Sequence, residues 1–136
     1  MKINKHKICI VGLGYVGLPL AIEFGKKYIT FGFDVSKNKI SEYQKANDPA
    51  NEIKKKQFNA SKNLTFSSDK KVISNADIII IAVPTPIKKN NSPDLNALKK
   101  ASSMVGKNMK KGSIVIYEST VYPGATEEVC IPIFEK

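Results

Sequence analysis

A glycine-rich turn placed directly after an apolar run is the feature that most restricts how this chain can fold. Residues 12–17 read Gly-Leu-Gly-Tyr-Val-Gly, follow the apolar residues 8–11 and precede a helix-like segment at residues 18–26. In such a turn the first glycine permits a tight bend, the second lets a diphosphate approach the backbone, and the third lets helix and strand pack closely. The first N–H groups of the helix then face the phosphates. The pattern predicts that a dinucleotide contacts Gly12, Leu13, Gly14, Tyr15, Val16 and Gly17.

An acidic residue stands where a dinucleotide-binding turn needs one. Asp34 closes a second strand-like run about 20 residues beyond the glycines, where a carboxylate can accept hydrogen bonds from both ribose hydroxyls. Because a carboxylate at this place repels a 2′-phosphate, the predicted cofactor is NAD and not NADP. Two alternatives stay open: Asp34 could serve only a turn or a helix cap, and the nearby Lys39 could face either the adenosine or water.

Strand-like and helix-like segments alternate along the whole chain. Strands are predicted at residues 8–11, 31–34, 64–66, 78–83 and 113–117. Helices are predicted at residues 18–26, 36–44, 69–74, 94–105 and from 124 onward, whereas residues 45–62 read as a polar loop. Residues 78–83 are apolar on both faces, which predicts a central strand covered on both sides. The alternation predicts one Rossmann-type α/β domain over residues 1–136, a doubly wound parallel sheet in three α/β/α layers.

Charge and composition narrow the possible partners. The net charge is +10, and it comes from lysine alone because the chain has no arginine. A basic surface suits an anionic partner such as a dinucleotide or a nucleotide-sugar. Proteins that read DNA sequence depend on arginine, so no nucleic-acid partner is expected, and a solvated lysine surface is the simpler alternative.

Neither a metal site nor a membrane segment is predicted. Cys9 and Cys130 stand apart without a histidine nearby, so we expect buried, reduced side chains. The longest apolar run, residues 78–83, has the length of a strand and not of a membrane span. The first residues lack the apolar region of a secretion signal, so a cytoplasmic protein without a membrane partner is expected.

Hydroxyl-bearing turns follow the fourth and fifth predicted strands. The first reads Val83-Pro84-Thr85-Pro86, and the second runs from Glu118 through Ser119 and Thr120 to Gly124. Ligands of doubly wound sheets lie across the carboxyl ends of the strands, so these hydroxyls are predicted beside the nicotinamide ribose. Proline-rich turns that merely end strands are the alternative.

Together, these segments resemble the UDP-glucose/GDP-mannose dehydrogenase family. The resemblance is carried by residues 7–20, by Gly32-Phe33-Asp34, by residues 83–86, and by Ser119-Thr120-Val121 with Pro123-Gly124. Residues 117–130 and 92–95 are most similar to the branch that oxidises UDP-N-acetylhexosamines for surface polysaccharides.

The resemblance implies a reaction and roles for individual residues. The C6 alcohol of a UDP-sugar would become a carboxylate through two hydride transfers to NAD, with a cysteine holding the intermediate as a thiohemiacetal and then a thioester. The glycine turn, Asp34 and Lys39 would hold the adenosine half of NAD. Thr85 and Thr120 would lie near the nicotinamide, and Thr120 would also have a catalytic role in positioning the hydrolytic water. A longer protein of this type is expected to be a homodimer.

Two departures from the family pattern set limits on this expectation. Ala50 stands where the family has a threonine shortly before Glu52, which puts one substrate contact in doubt. The catalytic cysteine, lysine and asparagine of the family and its sugar-nucleotide domain have no counterpart up to Lys136. We therefore expect NAD binding without turnover, and an unpaired sheet edge that favours association. Two hypotheses compete with this one: a non-catalytic NAD-sensing module and a 3-hydroxyacid dehydrogenase. The turns that contain Thr85 and Thr120 argue against both.

Overall fold

Five parallel strands form the centre of the structure, a computed structural model that describes residues 5–119 and 124–136. The strands are β1 (Ile8–Val11), β2 (Thr30–Phe33), β3 (Leu64–Ser67), β4 (Ile78–Ile81) and β5 (Ile114–Tyr117). Their order across the sheet is β3-β2-β1-β4-β5, with every neighbouring pair parallel. The order reverses direction between β1 and β4, and ligands of doubly wound sheets bind at such a switch point. The predicted sheet type is confirmed.

Helices connect the strands and cover both faces of the sheet. They are α1 (Gly17–Gly25), α2 (Lys37–Gln44), α3 (Lys55–Ala60), α4 (Lys71–Ser74), α5 (Asn96–Asn108) and α6 (Ile131–Phe134), with a π-helical turn at Thr126–Cys130 before α6. None of the helices in the described ranges is long and apolar enough to cross a bilayer.

Two apolar cores lie on opposite faces of the sheet. On one face Ile8 and Ile10 pack with the buried side of α1 and with Tyr43 of α2. On the other, alternate residues of β1 and β4 pack with Leu98 and Val105 of α5. Because the middle strands are buried on both faces, their sequences are apolar without a break. The three-layer arrangement follows from this pattern and is confirmed.

Both cysteines are buried, as predicted. Cys9 lies in β1 and Cys130 in the π-helical turn, and neither side chain is accessible to solvent. Burial raises the pKa of the Cys9 thiol to about 12, so this thiol stays protonated and unreactive. Within residues 5–119 and 124–136, no three histidine, cysteine or acidic side chains are grouped to hold a metal ion.

The prediction of a polar loop over residues 45–62 was wrong in part. Helix α3 forms within this stretch because Phe58 is buried against the rings of Tyr43 and Phe66, whose centroids lie 6.1 and 6.0 Å away. The carboxylate of Asp48 organises the preceding turn by accepting three backbone N–H bonds, each 3.0 Å long. A single aromatic residue among lysines gives no helical periodicity, so only tertiary contacts reveal α3.

Side chains just before α2 and α5 accept hydrogen bonds from the first N–H groups of these helices. Ser36 precedes α2, and its hydroxyl accepts the N–H of Lys39 at 3.3 Å, as a helix cap does. The sequence predicted a helix from residue 94, whereas α5 begins at Asn96 and Leu95 is the residue before it. The Asp94 carboxylate still accepts the N–H of Asn96 at 3.0 Å, so it satisfies the first donor of α5 from one residue further out.

The β5 side of the sheet is the less protected edge. Among the described residues β5 pairs only with β4, and its side chains Ile114 and Ile116 are 44% and 39% exposed. These two isoleucines lie on the face of the sheet that α1 covers further along. Within the described residues β5 is thus an outer strand with a partly exposed face, and the association expected from the sequence stays a prediction.

Candidate cofactor site at the carboxyl ends of the strands

The turn after β1 is shaped by two glycines that no other residue could replace. Gly12 has φ of +95°, and a Cβ there would lie 2.9 Å from Cγ1 of Val83. A Cβ on Gly17 would lie 1.6 Å from the carbonyl oxygen of Gly12. The first glycine therefore permits the bend, and the third lets α1 begin directly against the turn.

Gly14 differs from these two glycines. A Cβ on Gly14 would meet no heavy atom of the protein within 4 Å, and Gly14 borders the cleft that is described below. Val16, the residue before α1, provides no side-chain cap for the helix. A diphosphate can therefore reach both the Gly14 backbone and the positive end of α1, so these residues fit the cofactor.

Asp34 connects the end of β2 to the glycine-rich turn. Its Oδ2 atom accepts the N–H of Leu13 at 3.0 Å, and its Oδ1 atom accepts the N–H of Ser36 at 2.9 Å. The Nζ atom of Lys39 lies 4.0 Å from Oδ2. Asp34 therefore stabilises the turn and also lines the cleft, so the two roles considered for it in the sequence do not exclude each other. A carboxylate has about four acceptor positions, so two remain for ribose hydroxyls.

A cleft of about 780 Å³ runs along the carboxyl ends of the strands. The predicted site residues that line it are Gly12, Leu13, Gly14, Tyr15, Val16, Asp34, Lys39 and Thr85. Gly17 lies behind the turn, where it supports the start of α1. Thr120 lies outside the described residues. The volume is within the range of sites that bind cofactors and other small molecules.

Sequence reasoning missed two lysines and a methionine of this cleft. Lys70 follows β3, and Lys100 and Met104 lie on α5 facing the glycine-rich turn. Lys70 could have been found from its place at the carboxyl end of a strand. Lys100 gave no such signal, because exposed lysines occur all along α5. With Lys39 and the start of α1, these cations make the cleft attractive to a diphosphate.

The turn after β4 and the first residues after β5 are joined beside the cleft, whereas the predicted place of their hydroxyls at a nicotinamide stays a prediction. The Ser119 hydroxyl donates to the Val83 carbonyl at 2.7 Å, and the backbone N–H of Glu118 donates to the Ile81 carbonyl at 2.9 Å. Thr85 and Glu118 both line the cleft. Thr85 and Glu118 therefore border the cleft on the side away from Asp34.

A smaller cavity of about 220 Å³ also borders the glycine-rich turn. Tyr43, Asp48, Ala50 and Glu52 line it together with Leu13 and its neighbours. The alanine that replaces the expected threonine therefore faces this cavity and not the larger cleft. Leu13, Gly14 and Tyr15 border both spaces.

Comparison with known proteins identifies the family. Residues 6–136 match the NAD binding domain of the UDP-glucose/GDP-mannose dehydrogenase family. The chain belongs to this family. The resemblance seen in the sequence is thereby confirmed, and NAD is the cofactor of the matching domain.

Three relatives show how far the similarity extends. UDP-N-acetyl-D-glucosamine 6-dehydrogenase of Pseudomonas aeruginosa is 48% identical over 130 residues, which cover 96% of this chain and 31% of that protein. Protein CapL of Staphylococcus aureus is 50% identical over 131 residues, with the same two shares. The ternary complex of GDP-mannose dehydrogenase from Pseudomonas aeruginosa superimposes with a TM-score of 0.88 at 30% identity, covering 94% of this chain and 31% of that one. The chain thus spans less than a third of each relative.

Proposed function

We propose that this chain binds NAD for a nucleotide-sugar 6-dehydrogenase that oxidises the C6 alcohol of a UDP-N-acetylhexosamine to a carboxylate. The observation that carries the cofactor proposal is the Asp34 carboxylate, which holds the glycine-rich turn at Leu13 and keeps acceptor positions for a ribose. The substrate proposal is supported by the 48% identity to a UDP-N-acetyl-D-glucosamine 6-dehydrogenase.

The residues of this chain bind and orient the cofactor. Bound NAD supplies the hydride acceptor, and oxidation of an alcohol to a carboxylate requires two such transfers. Asp34 and Lys39 hold the adenosine ribose, and the Gly14 backbone with the start of α1 holds the diphosphate. Thr85 and Thr120 would then lie beside the nicotinamide, with Thr120 positioning the water that hydrolyses the intermediate.

We propose that the chain alone binds NAD without oxidising a UDP-sugar. The reaction needs a cysteine thiolate at the cleft, and both cysteines are fully buried away from it. Calorimetric titration with NAD and NADP tests the cofactor proposal, and NAD should bind at least about tenfold more tightly because Asp34 repels a 2′-phosphate. Equal affinities would contradict it.

A test of the substrate proposal needs a protein that also carries the part of the relatives outside this match. With NAD present, that protein should convert UDP-N-acetylglucosamine to a uronate and form two NADH for each uronate. This chain alone should form no NADH. Turnover by this chain alone would refute the proposal that it binds NAD without oxidising a UDP-sugar. The homodimer and the cytoplasmic location of the longer protein remain predictions, to be checked by sedimentation and by cell fractionation.

A further inference from the structure

The backbone of Leu13 is held from both sides by side chains of the β2–α2 segment. Its N–H donates to Oδ2 of Asp34 at 3.0 Å, and its carbonyl accepts the hydroxyl of Tyr43 at 3.0 Å. Both hydrogen bonds are buried, and Leu13 itself is not accessible to solvent. These two hydrogen bonds fix the orientation of the Leu13 backbone within the glycine-rich turn.

Tyr43 is itself held in place by aromatic contacts. It is buried on α2, and its ring centroid lies 5.4 Å from that of Phe66 and 6.1 Å from that of Phe58. Burial raises the pKa of the Tyr43 hydroxyl, and the nearby Asp48 and Asp34 raise it further. The hydroxyl therefore remains protonated and continues to donate to Leu13 across the physiological pH range.

The direction of the Tyr43 hydrogen bond has a consequence for the next peptide N–H. The Leu13 carbonyl and the Gly14 N–H belong to one planar trans peptide, in which the two groups point in opposite directions. Tyr43 lines the small cavity and not the large cleft, whereas Gly14 borders both. A carbonyl drawn toward Tyr43 thus turns the Gly14 N–H away from the small cavity and toward the cleft.

We propose that Tyr43 is a positioning residue that aims the Gly14 N–H at the diphosphate of the cofactor. The proposal rests on the proposed binding of NAD in the cleft. Glycine permits either orientation of its preceding peptide, so the turn needs an outside group to select one. Tyr43 selects it from the side of the turn opposite the ligand, without touching the ligand.

The test compares three ligands on the full chain and three matched variants. Tyr43→Phe removes only the hydroxyl and keeps the ring among Phe58 and Phe66. Phe58→Leu thins the same aromatic cluster but leaves the hydroxyl in place. Tyr28→Phe removes a tyrosine hydroxyl at the amino end of β2, far from the cleft. NAD, ADP and adenosine are titrated into each protein, because adenosine reaches Asp34 but has no diphosphate.

Tyr43→Phe should weaken NAD and ADP binding about tenfold, the value of one charge-assisted hydrogen bond, and change adenosine binding less than about twofold. Amide exchange at Gly14 should become faster while the amides of α2 keep their protection. Phe58→Leu should lower the unfolding temperature and keep the ratio of NAD to adenosine affinity, and Tyr28→Phe should bind all three ligands like the wild type.

Two results would overturn the proposal. Tyr43→Phe could bind NAD like the wild type, or it could lose affinity for all three ligands in parallel, as a purely structural residue would. Failure of the wild-type chain to bind NAD is a different result, because it refutes the proposed function and removes this inference with it.

Discussion

The hydroxyl of Ser119 donates a 2.7 Å hydrogen bond to the carbonyl of Val83 and thereby joins the turn after β5 to the turn after β4. The two residues are 36 positions apart in sequence. Val83 also packs against Gly12, where a Cβ would come within 2.9 Å of its Cγ1 atom. The first residues after β5 are therefore linked, through Val83, to the first glycine of the turn after β1.

Ser119→Ala should loosen this side of the cleft. Loss of the hydroxyl leaves the Val83 carbonyl without this donor and should cost about 1 kcal/mol of the free energy of unfolding, with NAD binding weakened a few-fold. Adenosine binding should not change, because Asp34 lies on the other side of the cleft. Urea unfolding and calorimetry measure both effects. Equal losses for NAD and adenosine would show that the bond stabilises the fold in general.

Asp34→Asn should reduce the discrimination between NAD and NADP. The amide is uncharged and cannot accept hydrogen bonds on both side-chain atoms, so NAD binding should weaken at least about tenfold. NADP binding should change much less, because the repulsion of its 2′-phosphate is also removed. Asp69→Asn, which makes the same charge change at the exposed start of α4, is the control. A ratio of the two affinities that stays at the wild-type value would argue against the ribose assignment.

Lys100→Gln should weaken NAD binding about threefold, since an exposed ion pair contributes about 0.6 kcal/mol. Lys100 lines the cleft, whereas the adjacent Lys99 on the same helix does not, so Lys99→Gln is the matched control. The difference between the two variants should shrink as salt is added, because salt screens exposed charges. Titrations at 0.05 and about 0.5 M NaCl measure it. A loss of the same size in both variants would mean that net charge alone attracts the dinucleotide.

The sheet and the cofactor turn could be predicted because their signals are local. The residues of β1 and β4 are apolar at consecutive positions, and Gly12 and Gly17 occupy places that tolerate no side chain. Tyr43 and Lys100 could not be found in the same way. Each reaches the site from a different element, and only the folded sheet brings those elements together. Helix α3 was missed for the same reason, because burial of Phe58 and not periodicity stabilises it.

Asp77 should make the stability of the chain depend on pH at acidic values. It lies just before β4 at the end of the sheet opposite the cleft, with Nζ of Lys110 2.5 Å away and the N–H of Lys7 2.8 Å away. The hydrogen bonds from Lys110 and then Lys7 hold the pKa of this carboxyl below its ordinary value of 3.8. A lowered native pKa stabilises the fold above the unfolded pKa, and this stabilisation is lost as the pH falls through the native pKa.

Asp77→Asn should therefore be about 1 kcal/mol less stable than the wild type at pH 7. The gap should stay constant down to about pH 5 and close as the pH is lowered further. Lys110→Gln should also be less stable than the wild type at pH 7, by part of the loss seen in Asp77→Asn. The reason is that the hydrogen bond from Lys110 contributes most to the lowered pKa of Asp77. Thermal unfolding across this range measures the gap. A difference that persists at the most acidic pH would assign the loss to packing and not to the charge.

Gly14→Ala should separate folding from cofactor binding. The added methyl group meets no protein atom within 4 Å, so the variant should fold and gain about 0.4–1 kcal/mol from the lower entropy of its unfolded chain. The same methyl group occupies the space through which a diphosphate approaches the turn, so NAD binding should weaken by more than about tenfold. Gly17→Ala is the contrasting variant, because its methyl group collides with the Gly12 carbonyl and should destabilise the fold itself. Thermal unfolding and NAD titration of both variants decide the matter: if Gly14→Ala binds NAD as tightly as the wild type, the diphosphate does not lie against this turn.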